Sequence, residues 1–553
     1  MKVIAMKNSI AVRLVILFST ASTLFLTGCK KFLEEKPTSA LTDQYTFTTA
    51  AEGSALVIGA YRSMASYTGG AGDWGNYLPA TLEYPTGKAY TSDTHVQFWK
   101  FQTNQTTGGL LQDFDNFWNN NYQGVRDCNL SIAKIPGITE WSPAQRSAAL
   151  GEVRTLRAWY YFNLVRYFGD LVMDTSVLKS VADAQQPRSS LKAIYDNVII
   201  PDLEYAVKQS SLADAKSTNG RVTKFVARTI LSDVYLTCAG YPYQEVATDP
   251  TKNWCVDGLF AQSTYPVNTS SARDFLTKAQ EQLNVLYGQY TLGTYNDLHN
   301  PAKNNSGEAI FQIQYLTNVS EMTGIIAAAL PGLSHVSMFG DEYGTFIPSI
   351  GYFNSYNPAD LRIKDRQMFY FSDTKSTKYD PAQGPADKFS QPHLYKYYDS
   401  VAIKSTAHSS LNWTIYRYAD VLLMLTEVNW TLKQIGGAAT DQDIIKGINE
   451  VRTRAMLPTY RASDVNLFNI MSERAYELVF ENKMLWDQRR TRKCLVDGVG
   501  SFAGIQDFVG HQPVGFSFAF SKMNLLSPIS QNEIATNGKC FQNFSFLPTQ
   551  KGQ

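Results

Sequence analysis

Apolar side chains recur at helical spacing in four segments of this 553-residue chain, and this pattern most constrains its fold. Residues three and four positions apart share one face of an α-helix, so each segment predicts an amphipathic helix. The residues at 193–207 and 441–454 predict partner helices, which favours a mostly α scaffold of degenerate helical repeats. The four sets are Val153, Leu156, Tyr160, Leu164 and Tyr167 before Gly169; Val222, Val226, Ile230 and Val234 before Gly240; Tyr418, Val421, Leu422, Leu425, Val428 and Leu432 before Gly436; and Ala475, Leu478, Val479 and Leu485.

The block from residue 240 to residue 412 differs from the rest of the chain. It is rich in Gly, Pro, Asn and Tyr and has few helical stripes, so it predicts loops and small strands that build a ligand surface. Neither a linker nor a low-complexity tract divides the chain. We therefore expect one unit over 41–553, with a helical scaffold at 41–240 and 411–490, a loop-rich ligand-binding region at 241–410 and an irregular tail at 491–553.

The N-terminus has the pattern of an export signal. Three basic residues, Lys2, Lys7 and Arg13, precede an uncharged apolar run at 14–26, which is too short to span a bilayer as a helix. The sequence Leu-Thr-Gly-Cys that follows resembles the lipobox of bacterial lipoproteins, in which the cysteine is acylated and becomes the first mature residue. We expect a signal peptide at 1–28, lipidation at Cys29 and a tether at 29–40; the alternative is an ordinary secretory peptide.

Composition limits the partners of the chain. The formal net charge of +1 gives no electrostatic reason to expect a nucleic-acid ligand. Five cysteines remain besides Cys29, and a disulfide between Cys238 and Cys255 is allowed but not required. The 32 Tyr, 30 Phe and 9 Trp supply enough rings to fill a core and to leave some at the surface, where aromatics stack on sugars.

Eight motifs in a fixed order give the chain a family resemblance. They are CKKFLEEKP (29–37), WNNNYQGVRDCN (118–129), RTLRAWYYFNLVRYFGD (154–170), GRVTKFVARTILSDVYL (220–236), EAIFQIQY (308–315), YRYADVLLMLTEVNW (416–430), INEVRTRA (448–455) and ERAYELVFE (473–481). Together they resemble the SusD/RagB family of outer-membrane nutrient-binding lipoproteins. The stretch after the last motif and the C-terminal ending depart from the family pattern.

The resemblance implies a mostly α fold of tetratricopeptide-like helix pairs, with a loop-rich, mixed insertion that carries small strands. It also implies an outer-membrane lipoprotein that faces the cell exterior and serves a TonB-dependent transporter of the SusC kind. Such proteins capture oligosaccharides or, in some members, peptides, and no catalytic residue or cofactor comes with the family. A helical-repeat scaffold without a small ligand is the remaining alternative.

Two aromatic clusters are the predicted ligand-binding residues. The first is Trp74, Tyr77 and Trp99, among several glycines, and the second is Phe339, Tyr343 and Tyr352. Glycine-rich loops that hold aromatics at the surface are typical of binding sites. We expect the two clusters to form the two sides of one shallow groove. The alternatives are partial burial of the tryptophans and a short buried helix beginning near Phe339.

Catalytic and cofactor motifs receive little support. Gly70, Gly72 and Gly75 spell GxGxxG, but a helical pattern precedes them where a dinucleotide fold needs a strand. No HExxH, GxSxG or P-loop is present, so we predict neither a metal site nor an enzyme. The carboxylates of Glu473, Glu477 and Glu481 lie four residues apart, a spacing that a hydrolase can use. We expect them instead to pair with arginines, namely Arg417, Arg452 and Arg454.

Overall fold

The computed structural model describes residues 46–64, 82–90, 108–241, 265–316, 347–370, 392–399 and 409–543. Their secondary structure is mostly helical, as the apolar stripes predict. The helices of eight or more residues in these ranges are α1 (Ala50–Arg62), α2 (Gly108–Lys134), α3 (Pro143–Phe168), α4 (Ile200–Lys208), α5 (Lys224–Cys238), α6 (Ser270–Leu286), α7 (Tyr418–Gln434), α8 (Asp441–Arg454), α9 (Leu467–Glu477) and α10 (Met484–Thr491).

Local sequence signals fix the ends of these helices. Thr49, Ser142 and Thr440 each cap a helix through a capping box, in which the hydroxyl accepts an N–H three residues on and that residue's side chain accepts the cap N–H. Helix α3 ends where Gly169 adopts φ +83° and donates its N–H to the Val165 carbonyl at 3.0 Å. The predicted ends of α3 and α8 are therefore confirmed.

Consecutive helices pack in pairs. Helix α2 packs on α3, α5 on α6 and α7 on α8, and α6 also packs on α7, so the pairs share one continuous apolar core. This arrangement confirms the mostly α scaffold of helix pairs. Burial of apolar faces between paired helices is the main source of their stability, because isolated helices of this length are marginal in water.

Helix α3 is more deeply buried than a single apolar stripe predicts. Its polar Arg157 is buried because the guanidinium donates to both carboxylate oxygens of Asp202, at 2.7 and 2.9 Å, and to the side chain of Asn129 at 2.8 Å. Buried charges persist in proteins when they are paired in this way. The predicted apolar stripe of α3 is buried, and the structure shows in addition that residues on its other faces are covered.

Two predictions about helices are corrected. The region 241–410 was predicted to have few helices, yet α6 occupies 17 residues of it, with Phe275, Ala279 and Leu283 on its buried face. The fourth stripe was predicted to be one helix, but α9 ends at Glu477 and α10 begins at Met484. The chain breaks between them because Phe480 and Asn482 adopt positive φ values of 55° and 60°, which an α-helix does not allow.

The strands are short and pair antiparallel in twos within the described ranges, which confirms the predicted small strands. Four pairs form: β1 (Ala89–Tyr90) with β3 (Ile347–Pro348), β2 (Ala309–Ile313) with β6 (Trp413–Arg417), β4 (Phe369–Tyr370) with β5 (His393–Leu394), and β7 (Lys493–Val496) with β8 (Gly504–Asp507). Cys238 is a free buried thiol, so it does not form the disulfide that the sequence allows. The domain boundaries stay a prediction.

Candidate functional site

The strand pair β1–β3 joins two distant parts of the chain. Tyr90 pairs with Ile347 and Ala89 with Pro348, and the Ser349 N–H donates to the Lys88 carbonyl at 2.8 Å. Strand β1 is followed directly by residues 91–107, and β3 is preceded directly by residues 317–346. The attachment points of these two segments therefore lie side by side. We call residues 83–90 and 347–354 the β1–β3 platform.

A tight turn sets the position of β1. Gly87 adopts φ +76°, and its N–H donates to the Tyr84 carbonyl at 3.1 Å. A Cβ atom at this position would lie 2.3 Å from the Cβ of Pro513, so glycine is required by both the backbone and the packing. The chain then continues into Lys88, whose ammonium is buried and donates to the Leu495 carbonyl at 2.9 Å and to the Asp497 carboxylate.

A short helix fixes the second strand of the platform. Ser349 caps the helix Ile350–Asn354 by accepting the N–H of Tyr352. The ring of Tyr352 is fully buried, and its hydroxyl donates to the Ala475 carbonyl at 2.6 Å. Tyr352 was predicted to contact ligand in a surface loop; this prediction was wrong, because the ring anchors the platform to helix α9.

The other predicted ligand-binding aromatics lie outside the described residues. These are Trp74, Tyr77, Trp99, Phe339 and Tyr343, and the lipidation residue Cys29 also lies outside. Their segments nevertheless connect to the platform by short stretches of chain: Trp99 lies nine residues after β1, and Tyr343 lies four residues before β3.

The platform presents two side chains to solvent beside these attachment points. Tyr90 is 39% exposed and Ile350 is 50% exposed. Strand β5 packs against β3, which places the chain at His393–Leu394 beside the same sheet. No sequence pattern points to Tyr90, because it is a lone aromatic between Ala89 and Thr91.

A buried carboxyl group lies at the start of the platform. Glu83 accepts the Asn482 N–H at 2.6 Å. Burial raises the pKa of Glu83 to about 8, although the Asn482 N–H and the charge of Lys396 act in the opposite direction. The platform therefore contains an acid that titrates near neutral pH, held against the segment between helices α9 and α10.

The three predicted ladder carboxylates form a buried ion-pair network. Glu473 pairs with Arg452 at 2.9 Å, Glu477 with Arg417 at 2.7 Å and also with Arg454, and Glu481 with Arg417 at 2.8 Å. The predicted structural ladder is confirmed. Arg362, Lys396 and Glu308 complete the network, and the sequence pattern missed them because they come from other parts of the chain.

The electrostatics of this network do not suit acid–base chemistry near neutral pH. Burial alone would raise the pKa of Glu477, but Arg454, Arg417 and Arg362 outweigh it and lower that pKa to about 2. A general acid needs a pKa near the working pH. Within the described ranges, no group of three or more His, Cys, Asp or Glu side chains could hold a metal ion.

The described residues thus define a class of protein: a scaffold of paired helices with short, two-stranded antiparallel sheets. No helix among them is both long and apolar enough to cross a membrane. Two family models match the chain. The model described as "SusD family" matches residues 340–546, and the model described as "Starch-binding associating with outer membrane" matches residues 31–236.

Individual proteins agree with these family models. A SusD superfamily protein from Parabacteroides distasonis is 30% identical, covers 90% of this chain and 99% of its own, and superposes with a TM-score of 0.77. The SusD-like protein P2 of Formosa agariphila is 25% identical over 85% of this chain and 89% of its own length. Surface glycan-binding protein A from Bacteroides thetaiotaomicron, in complex with laminarihexaose, shares the fold with 19% identity over 90% of this chain and all of its own, and a TM-score of 0.65. The chain belongs to the SusD/RagB family.

Proposed function

We propose that this protein is a cell-surface lipoprotein that captures an oligosaccharide or polysaccharide and delivers it to a SusC-like TonB-dependent outer-membrane transporter. The observation that carries the proposal is the register of β1 with β3. It brings together the attachment points of the segment that contains Trp99 and of the segment that contains Phe339 and Tyr343. Two aromatic segments beside each other supply the two walls of one sugar-binding groove.

The small free energy of each ring–sugar contact favours a site built from several aromatic rings. An aromatic side chain that covers about 40 Å² of a sugar face contributes about 1 kcal/mol at ~25 cal/mol per Å². Millimolar affinity requires about 4 kcal/mol. Three or four rings with a few hydrogen bonds therefore suffice for weak capture, and weak capture is sufficient where the ligand is held close to a transporter.

A calorimetric titration with a polysaccharide panel tests the ligand class and the site together. We expect the wild-type protein to bind at least one glycan, and Trp74→Ala or Trp99→Ala to weaken that binding about fivefold, as the loss of about 1 kcal/mol implies. Phe541→Ala is the matched control, because Phe541 is 69% exposed and belongs to the C-terminal segment. Wild-type binding that both tryptophan variants leave unchanged would contradict the site.

The anchor and the transporter need a test in cells. We expect Cys29→Ala to abolish glycan uptake while the purified soluble protein keeps its affinity, since the lipid holds the binding site beside the transporter. Proteinase added to intact cells should degrade the wild-type protein. Protection of the protein from proteinase would favour a periplasmic scaffold without a small ligand.

The chemical identity of the bound ligand distinguishes glycan capture from peptide capture by the same architecture. Mass spectrometry of small molecules that purify with the protein should identify saccharide. Recovery of peptides, together with no response to any glycan in the panel, would replace the glycan by a peptide and leave the architecture unchanged.

A further inference from the structure

A wide groove lies on the helical scaffold between helix α8 and the segment that follows helix α6. Its volume is about 810 Å³, and it is open along its length. Sites for small organic ligands range from about 300 to 1,000 Å³, so the groove has room for several sugar units. The side chains used below are Tyr287, Tyr290, Tyr418, Lys446 and Glu450, all of which line it.

The groove wall is held in place by its own contacts. The Tyr287 hydroxyl donates to the Glu450 carboxylate at 2.7 Å, and the Lys446 ammonium lies 4.8 Å from the centre of the Tyr287 ring. The Gly288 N–H donates to the Tyr418 hydroxyl at 2.8 Å. A wall that is already ordered loses little conformational entropy when a ligand binds.

The Tyr290 hydroxyl belongs to the groove wall and makes no hydrogen bond to any described residue. The Tyr290 side chain is 3% exposed, and its hydroxyl is buried. A buried hydroxyl that lacks a partner costs free energy, so such groups are rare in folded proteins. Tyr290 lines the groove, so a sugar hydroxyl that reached this group would supply the missing partner, because it both donates and accepts.

The two cations that line the groove are already paired with carboxylates within the protein. Lys446 donates to the Asp443 carboxylate at 3.2 Å, and Arg454 donates to Glu308 at 2.9 Å and to Glu477. A charged ligand would have to compete with these pairs, whereas a neutral one would not. Aromatic rings, an unsatisfied hydroxyl and balanced charge together favour a neutral polyhydroxylated ligand.

We propose that this groove is a second saccharide-binding site, which takes a neutral oligosaccharide. The ligand class rests on the proposed function, but the site does not, because no residue of the β1–β3 platform lines the groove. A polysaccharide bound at both sites would gain apparent affinity by bivalent attachment.

The sharpest variant is Tyr290→Phe, which removes only the unsatisfied hydroxyl. A merely structural tyrosine with no hydrogen bond loses nothing, so the melting temperature should stay the same or rise. Loss of one ligand hydrogen bond should weaken saccharide binding about three- to tenfold. Tyr205→Phe is the matched control, because Tyr205 lies on helix α4 and does not line the groove. Unchanged binding in Tyr290→Phe would overturn the proposal.

The position of the ligand is read from photo-crosslinking with diazirine-labelled laminarihexaose and maltohexaose, followed by peptide mapping. Labels at 287–292 or 442–453 are expected in wild type and in a Trp74→Ala/Trp99→Ala background. Labels confined to 65–107 or 317–346 would overturn this proposal and leave the proposed function standing. Labels confined to the groove would support this proposal and contradict the aromatic segments as the glycan site. Labelling of neither region would overturn the groove as a saccharide site.

Discussion

Two buried glutamates, one in the scaffold and one in the β1–β3 platform, have pKa values shifted in opposite directions. Glu477 lies in the scaffold network among Arg362, Arg417 and Arg454, and its pKa is lowered to about 2. Glu83 lies at the start of the β1–β3 platform, and its pKa is raised to about 8. Both are buried, so burial alone does not decide which form of the acid is stable. The number of facing cations decides it.

The difference separates a fixed region from an adjustable one. Removing one charge from a fully paired buried network leaves the opposite charges uncompensated, which is expensive. The platform, by contrast, rests on two-residue strands, a glycine turn and a buried lysine, and it exposes aromatic and aliphatic side chains beside the predicted binding segments. The scaffold network therefore tolerates little change, whereas on the platform the exposed positions Tyr90 and Ile350 are the ones free to vary.

Breaking the buried ion-pair network around Glu477 should give the largest loss of stability. We expect Glu477→Gln to lower the free energy of unfolding by about 3–5 kcal/mol, because three arginines lose a shared buried partner. Urea unfolding at neutral pH measures it. Asp464→Asn, at an exposed ion pair with Arg461, is the control and should be close to wild type. A loss below about 1 kcal/mol in Glu477→Gln would mean that the network is not a source of stability.

The pH dependence should separate the two glutamates next. The folded pKa of Glu83 is raised, so the folded state binds more protons than the unfolded state from about pH 4.5 to 8, and stability falls with rising pH by up to about 1.4 kcal/mol per unit. Glu477 acts in the opposite sense: its stabilisation is present above pH 4.5 and is lost as the pH falls towards 2.

Urea unfolding at pH 5 and pH 8 tests this sign. The wild-type protein should lose about 3 kcal/mol of unfolding free energy between pH 5 and pH 8. The Glu83→Gln variant should not show this loss, since the amide does not titrate. Asp464→Asn should leave the difference as it is. A Glu83→Gln variant with the wild-type dependence would assign the titration to another group.

The glycine turn should give a smaller effect. We expect Gly87→Ala to cost about 2 kcal/mol, from the positive φ and from contact of the new Cβ with Pro513. Gly515→Ala is the matched control, because its φ of +84° is similar but nothing lies within 4 Å of the new Cβ, so it should cost about 1 kcal/mol. Equal melting temperatures would show that Pro513 moves away freely.

The exposed platform side chain should give the smallest change in stability. We expect Tyr90→Ala to change the free energy of unfolding by less than about 0.5 kcal/mol, since the side chain is 39% exposed. Glycan affinity should fall a few-fold if the ring borders the bound sugar. Calorimetry compares it with Phe541→Ala, and an equal affinity in the two variants would place the glycan away from Tyr90.

Sequence patterns predicted the helices where local signals decide the structure. The bounds of α8 were predicted to the residue, since Thr440 and Asp443 form a capping box before an apolar repeat. Helix α6 was missed although its own repeat is regular, because the composition of the surrounding block outweighed 17 residues. The break after α9 was missed because Phe480 does not announce a positive φ, and Asn482, a residue type that favours one, lies inside the apolar stripe.

The candidate site was harder to predict, since its geometry depends on residues far apart in the sequence. Tyr352 directly follows Gly351, a context that predicts a loop aromatic. Its buried position involves a hydrogen bond to the Ala475 carbonyl, which lies 123 residues further along the chain. Arg362 joins the ion network through Glu473, at a separation of 111 residues. The expected convergence of the two aromatic segments stays a prediction, although the β1–β3 register supports it.

The bond from Lys88 to the Leu495 carbonyl joins residues 407 positions apart. Closing a contact over such a separation costs more chain entropy than closing one between neighbouring elements. Helices α2 and α3 are close neighbours in sequence and can pair early, whereas strand β1 gains this anchor only when β7 is in place. The platform is therefore expected among the last parts of the fold to be completed.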